Sequence, residues 1–576
     1  MNKRALLRHG KLVSLMLAVG LVLSACGPAV TPTPEPTKLP AALPTQPPAP
    51  TKAPEATQAP TAVATVAPPR PVGGELVVAI RNADYDTLDP HVSSFTQAAY
   101  VFMNIFDTLV YLDAEGNYVA GLALAWEPSA DAREWTLKLR KDVKFHDGTS
   151  FNAKAVQFNL DRMVDSATGS KNAGPALNAS HYERTEVVDD YTVKVYFRDP
   201  SPLLPFVLSS PFLGMVSPTA VEKHGADFTK ALIGSGPFKF VSEVRGTEII
   251  LERNPDYNWA PAHMHQGPAY IDRLKFRFIT EDETRLAALE MGEVNVIDEI
   301  PPTSVERLQK NPDFQVLGAP KVGVARSLWF NTELSPVDDV RVRKAILYAI
   351  DRDAINAAVF KGVYPLAYQI LTRGTKFYDK SLETMYTFDP QKAVALLEEA
   401  GWKEVNAEGY RVKEGKELSL FHATFPGYVA ETPAEIIQAQ LKKVGIKFSI
   451  NVMTGTAMMD GMASRTSTFH TALIGTYSPD PGMILRRTLH SSGMGTTNYA
   501  HFTTPELDNL LDDGLAIADE AKRTEIYSKI QRIVMENAVV APIYANVSIF
   551  GASKKVSGLK FDPYAYPLFF DVAITK

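Results

Sequence analysis

Residues 76–80 (LVVAI) form a continuous apolar run, the mark of a strand buried on both faces. Residues 135–140 (WTLKLR), 191–197 (YTVKVYF) and 273–279 (RLKFRFI) alternate apolar with polar positions and predict strands with one wet face. Residues 247–253 predict another, between Gly246 and the Asn254–Pro255 pair. Farther along, the period changes. Residues 340–360 place Val342, Ile346, Ala349 and Ile350 on one helical face. Asp389 and Pro390 open a helix that runs through Ala393, Leu396 and Leu397 and stops at Gly401. Residues 432–444 predict a helix ended by Gly445 and followed by a strand at 446–450. Thr504 with Pro505 opens one more helix, and 519–537 predicts a last one. No solenoid repeat is present.

The order is therefore strand-rich from Gly73 to about 279, helix-rich from about 338 to 537, and strand again to the end. A βα region placed between two segments of one sheet requires the chain to cross between two lobes more than once. Clefts between such lobes are where small ligands are enclosed. About 500 residues from Gly73 onward exceed what a single core supports, which predicts two or three domains.

Composition changes the picture at the N-terminus. Lys3, Arg4, Arg8 and Lys11 precede an apolar run from Leu12 to Leu23, too short to span a bilayer comfortably. Residues 23–26 (LSAC) follow, and they resemble the bacterial lipobox, in which the cysteine is acylated and the preceding peptide removed. Residues 1–25 are thus expected to be a lipoprotein signal, with Cys26 the lipidated residue and the sequence's one cysteine. Two or three acyl chains anchor stably where one is marginal. Residues 26–72 are rich in Pro, Thr and Ala and cannot bury enough apolar surface to order themselves. In extended polyproline geometry such a tether reaches on the order of 130 Å.

The remaining chemistry excludes more than it selects. With 59 basic and 65 acidic residues, four of the basic ones in the signal, the chain is mildly acidic and has no basic block for nucleic acid. Nucleophile elbow, HExxH, phosphate-cradling glycine loop and zinc-spaced cysteines are all missing, so the sequence predicts no enzyme, no cofactor and no metal site. His263 and His265 have a metal-compatible spacing, but two ligands do not close a site.

An ordered set of motifs then settles the family resemblance. It comprises residues 88–91 (LDPH), 121–123 (GLA) with Trp126, 135–140 leading to 143–149 (VKFHDGT), 234–240 (GSGPFKF) and 251–257 (LERNPDY). It continues with 329–332 (WFNT), 339–346 (DVRVRKAI) and 349–352 (AIDR). Together they resemble the extracellular solute-binding proteins of family 5, the oligopeptide, dipeptide and nickel-binding group of ABC importers, from Gly73 to the C-terminus. The resemblance implies an α/β, periplasmic-binding-protein-like type II (cluster C) bilobal fold with an extra domain inserted in the first lobe. Lobe I would comprise 73–121, 232–325 and 541–576, the insertion 122–231, and lobe II 326–540. It further implies a monomer, lipid-anchored at the outer face of the cell membrane or in the periplasm, that hands its solute to membrane permease subunits. Several motifs read as scaffold: Asp147 and Gly148 as a turn, Gly234 and Gly236 as close backbone approaches, and Arg341 and Arg343 as pairing groups.

Three segments match pocket-lining positions of the family: Ser94, Phe95 and Thr96; Trp329 with Asn331; and the loop 475–481 (GTYSPDP), offering Thr476, Tyr477 and Asp480. Peptide-binding relatives carry in that loop a Trp and, three residues on, an Asp that pairs with the peptide amine. Here Thr476 or Tyr477 replaces the Trp, and Asp480 matches the family's downstream Asp-Pro dipeptide. A peptide is the favoured cargo, an oligosaccharide the alternative, and a peptide-sensing receptor or a hydrolase stand behind both.

Overall fold

The computed structural model describes residues 73–575, apart from 82–84, 179–180 and 428. The signal, Cys26 and the Pro-rich tether lie outside the described residues. Among the described residues no helix is long and apolar enough to cross a membrane.

A seven-stranded mixed sheet is built around Glu75–Ile80, which runs parallel to both Arg273–Phe278 and Val296–Ile297. Its order continues through Glu248–Arg253 to Phe238–Val244 at one edge and through Val547–Ser553 to Phe314–Pro320 at the other. Leu76, Val78 and Ile80 are buried, as the apolar run demands. A separate four-stranded antiparallel sheet, from Ala123–Pro128 through Glu134–Leu139 and Thr192–Phe197 to Tyr182–Asp189, is backed by the helix Ala153–Val164. One hydrophobic core joins this sheet to the first lobe through Phe102, Phe145, Phe151 and Leu160.

The second lobe is a five-stranded sheet in the order Lys447–Val452, Ser419–Thr424, Thr471–Tyr477, Gly323–Phe330 and Val540–Tyr544. The first two strands in that order form a parallel pair, Ser419–Thr424 with Lys447–Val452, connected by the helix Glu431–Lys443. Helices Pro390–Glu399, Pro505–Ala516 and Glu520–Glu536 contribute to the same hydrophobic core and are opened by the side chains of Asp389, Thr504 and Asp519. The expected helix over 340–360 is instead two pieces, Val340–Ala349 and Arg352–Ile355 with a π turn after it. Ile350 is extended, and the Asp351 side chain accepts the Ala354 N–H, so a fresh N-cap interrupts the apolar stripe. Arg341 pairs locally with Asp339, whereas Arg343 donates to the carbonyls of Val337, Asp338, Asn537 and Ala538.

The chain passes from the first sheet to the second between Pro320 and Gly323, and returns between Tyr544 and Val547. The two crossings touch: the Lys321 N–H donates to the Asn546 carbonyl at 2.8 Å. The sheet changes at 321–322 and 545–546, a few residues from the divisions read at 325 and 541. Pro320, Lys321, Gly323 and Asn546 interrupt the apolar pattern at the crossings, but a turn within one lobe would use the same residues.

Two motif glycines are explained by their surroundings. A Cβ at Gly234 would lie 2.1 Å from the Ile105 carbonyl oxygen, so the first lobe's helix can dock only against glycine. Gly148 sits at φ +86 after Asp147, whose carboxylate accepts the Thr149 N–H.

The C-terminal segment is locked by an ion cluster. The Asp571 carboxylate meets His265 Nδ1 at 2.6 Å and Lys560 Nζ at 3.0 Å. Although burial opposes it, the bonds from His265 and Lys560 hold this carboxyl far below the usual carboxylate range. A depressed carboxylate stabilises above its unfolded pKa, and the stabilisation disappears as pH falls through its folded one. Asp571→Asn should therefore cost about 2 kcal/mol at pH 7, keep most of that cost at pH 3 and lose it only in stronger acid near pH 1, read by denaturant unfolding at pH 7 and across the acid range. A loss at pH 7 that persists undiminished near pH 1 would show that the charge is not responsible.

Candidate ligand-binding cleft

The second crossing, the first crossing and the strand that follows it enclose a cavity of about 250 Å³. Its lining includes Arg81, Asp298 and Glu299 from the first lobe, Lys321 and Asn546 from the crossings, and Arg326 and Tyr477 from the second lobe. Arg326 owes its position to an irregularity in the strand Gly323–Phe330. Pairing with Thr471–Tyr477 breaks between Val324 and Ser327, and pairing with Val540–Tyr544 breaks between Arg326 and Ser327. Bulges of this kind re-aim a side chain, and here one turns a guanidinium toward the cavity.

The cations divide into two sets. On the first-lobe side Arg81 meets Glu299 at 2.9 Å, and Arg285 lies 3.5 Å from Asp298. On the other side Arg326 is 7 % exposed, donates through Nη1 to the Leu473 carbonyl at 3.2 Å, and forms no ion pair among the described residues. Lys321 forms none either, and its ammonium lies 5.6 Å from the Tyr477 ring centre. Burial lowers the Lys321 pKa, as does neighbouring Arg326, while Glu299 and Asp298 work in the opposite direction. Burial and neighbouring Glu299 push the Asp298 pKa up, so this carboxyl neutralises the wall less readily than a solvated one would.

Four buried polar atoms on this lining have no hydrogen-bond partner: Arg326 Nε, the Tyr477 hydroxyl, Asn546 Oδ1 and Ser548 Oγ. An unpaired buried polar atom costs roughly 1–3 kcal/mol, so four around one cavity mark a site completed by something polar. Glu299 adds backbone strain, with φ +47 in a non-glycine residue, held by its pair with Arg81 and by Arg285 donating to its carbonyl.

Tyr477 also lines the adjoining recess of about 430 Å³, together with Phe206, Phe212, Met483, Ile484, Tyr564 and Tyr566. Another recess, of about 460 Å³, is bordered by Phe206, Asp480, Glu520 and Asp562.

Of the eight ligand contacts expected from the resemblance, Tyr477 alone lines the cationic cavity. Trp329 is wholly buried, donates Nε1 to the Ile474 carbonyl at 3.1 Å and packs edge-on against Tyr499. Asn331 is 2 % exposed, and its side-chain oxygen accepts the Glu333 N–H. Both are satisfied inside the second lobe, because the strand that carries them is buried along its whole length. Ser94 and Phe95 are exposed at the start of the helix Thr96–Ile105, outside the cavities described, and Thr96 lies beside Tyr566. Thr476 is paired opposite Val324 and leaves its hydroxyl without a partner. Asp480 borders the second recess, but its carboxylate caps the helix Pro481–Leu489 and pairs with Arg523 at 2.9 Å. It is engaged and cannot meet a ligand amine without abandoning Arg523. His265, considered above as a metal ligand, has one ring nitrogen on Asp571 and the other on the Pro268 carbonyl.

Lys321, Arg326, Asn546 and Ser548 escaped the sequence reading. One signal for them existed: Arg326 is the single charge in the apolar run GVARSLWF, and such a residue is costly unless it has a task.

Two sheets joined by two adjacent crossings, with a polar cavity against the crossings, define a bilobal solute-binding protein of the type II periplasmic fold. The profile of the bacterial extracellular solute-binding proteins, family 5 (middle region), matches residues 117–496. The chain belongs to that family, as the substrate-binding protein of an ABC importer. It is 28% identical over 501 residues to the glutathione-binding protein GsiB of Escherichia coli K12, covering 85% of this chain and 92% of that one. Among solved structures it is similar to the DppA periplasmic binding protein of Helicobacter pylori in complex with the peptide STSA, with 26% identity, a TM-score of 0.72, and 88% and 99% of the two chains covered. NikA of Brucella suis, in complex with Fe(III)-EDTA, gives 26% identity and a TM-score of 0.78 over 87% of this chain and all of that one, 100%.

Proposed function

We propose that this protein, anchored through Cys26 outside the cytoplasmic membrane, captures a short peptide or peptide-like acid and holds its carboxylate between Arg326 and Lys321. The observation that carries the reading is the unpaired cationic wall with its four orphaned polar atoms. A carboxylate supplies what that wall lacks: negative charge for two cations, and acceptors for Arg326 Nε and the Tyr477 hydroxyl. The names of the relatives fit this chemistry, since glutathione and the peptide STSA are both carboxylate-bearing peptides. The amine-binding Asp expected of peptide binders has no counterpart at Asp480, so the anchor shifts to the acid end. Capture works by differential affinity: a solute touching both lobes favours the closed form, and the closed form presents itself to the permease. The tether lets the lobes reach that partner while the lipid holds them at the membrane.

Titration calorimetry on the full-length protein in detergent, with a free-acid tripeptide and its C-terminal amide, tests the anchor. The amide should bind at least about thirty-fold more weakly, as expected when a buried charge loses its partner. Equal affinities would rule the acid anchor out, and tight binding of an oligosaccharide with neither peptide bound would replace the cargo altogether.

A further inference from the structure

The cationic cavity is too small to be the whole site. Its volume of about 250 Å³ lies below the range of about 300–1,000 Å³ usual for small-molecule pockets. Tyr477 lines both this cavity and the recess of about 430 Å³. Four aromatic rings run from one to the other along the first-lobe side. Tyr100, on the cavity, meets Tyr566 edge-on at 5.5 Å. Tyr566 stacks with Tyr564 at 5.5 Å and 20°, and Tyr564 with Phe206 at 6.2 Å and 26°. The turn that presents two of them is rigidly built. The Asp562 carboxylate accepts the Tyr566 N–H at 2.7 Å, the Asp562 N–H donates to the Tyr566 carbonyl, and Ala565 holds φ +61 between them. Met483 and Ile484 line the same recess, together with the polar Lys171, Asn172, Ser478 and Arg487.

We propose that this row of rings is an extended subsite for apolar or aromatic side chains, so that the solute is an amphipathic acid: carboxylate in the cationic cavity, apolar body along Tyr566, Tyr564 and Phe206. The proposal rests on the acid-anchor reading above. Ring orientation selects the class. Sugars stack on open ring faces flanked by hydrogen-bonding groups. Here neighbouring rings lie nearly parallel and cover part of one another's faces, so the faces a sugar would stack on are partly taken, although polar Lys171, Asn172 and Arg487 share the recess. The ring edges and the aliphatic surface of Met483 and Ile484 suit Phe, Leu or Met side chains. A rigid turn also lowers the ordering cost on binding.

Calorimetry of the full-length protein with Ala-Phe-Ala and Ala-Ala-Ala, both as free acids, tests this. Wild type should prefer Ala-Phe-Ala by about ten-fold or more, the scale set by burying a large apolar side chain. Tyr564→Leu, which keeps apolar bulk but removes the stacked ring, should shrink that ratio to within about two-fold. Phe206→Leu serves as a second variant, with thermal unfolding of each confirming that it folds. Equal wild-type affinities for both peptides would overturn the ring subsite and leave the anchor standing. A ratio that survives in both folded variants would overturn it as well. If neither peptide binds, the anchor reading falls and takes the subsite with it.

Discussion

Arg326→Met is expected to weaken solute binding by about 2–5 kcal/mol, roughly thirty-fold to a few thousand-fold, while leaving the empty protein as stable as wild type or more so. The two halves of this result have one cause. In the empty protein the guanidinium is nearly buried, has one carbonyl partner, an unpaired Nε and like-charged Lys321 on the same cavity wall. Burying a charge without a counter-charge is unfavourable, and replacing it by an unbranched apolar side chain relieves that penalty at similar volume. In the bound protein the solute's carboxylate supplies the missing partner, so the same substitution leaves that acid buried opposite Lys321 alone. Calorimetry with the free-acid tripeptide and denaturant unfolding without ligand measure the two halves separately. A variant that loses stability and binding together would mean that Arg326 is structural, and that the Leu473 contact matters more than the cavity.

Asp480→Ala is expected to do the reverse: a loss of about 3–5 kcal/mol in stability, with the preference for free acid over amide preserved. Both oxygens of Asp480 lie within 3.0 Å of Arg523 Nη2, and the two side chains are 5 % and 6 % exposed. Removing the carboxylate strands the guanidinium among Tyr527, Phe377 and the Gly514 carbonyl, and it also uncaps Pro481–Leu489. Arg523→Met on top of Asp480→Ala should recover part of the loss, because the second change removes the uncompensated charge. Urea unfolding of the three variants gives the coupling. A wild-type melting curve for Asp480→Ala, combined with lost solute binding, would instead return Asp480 to the ligand.

These contrasts show how differently parts of the molecule could be read. The helix caps at Asp389, Thr504 and Asp519 were legible because capping is local: a side chain answers N–H groups two or three residues away. The same locality explains the break at Ile350, where Asp351 could have been recognised as a cap inside an amphipathic stretch. Trp329 shows the opposite case. Its sequence neighbours matched a ligand-contact motif, yet burial depends on what covers the strand, and Tyr499 and the Ile474 carbonyl arrive from more than a hundred residues away.

The site itself divides along the same line. Sequence alone determined the family, the mixed α/β class, and the expectations of two lobes, a cleft and a signal with tether before Gly73, since all of these follow from composition, periodicity and ordered short motifs. Tertiary structure alone decided which residues face the cleft. Lys321 and Asn546 lie more than two hundred positions apart and meet because two strands change sheets side by side. Arg326 reaches the cavity through a bulge that no periodicity announces. Tyr100, Tyr564 and Phe206 form a row because a C-terminal turn brings Tyr564 and Tyr566 beside Phe206 and Tyr100. Charge pairing likewise separates Asp480, held by Arg523, from Arg326, held by no carboxylate, and that difference depends on distances in space.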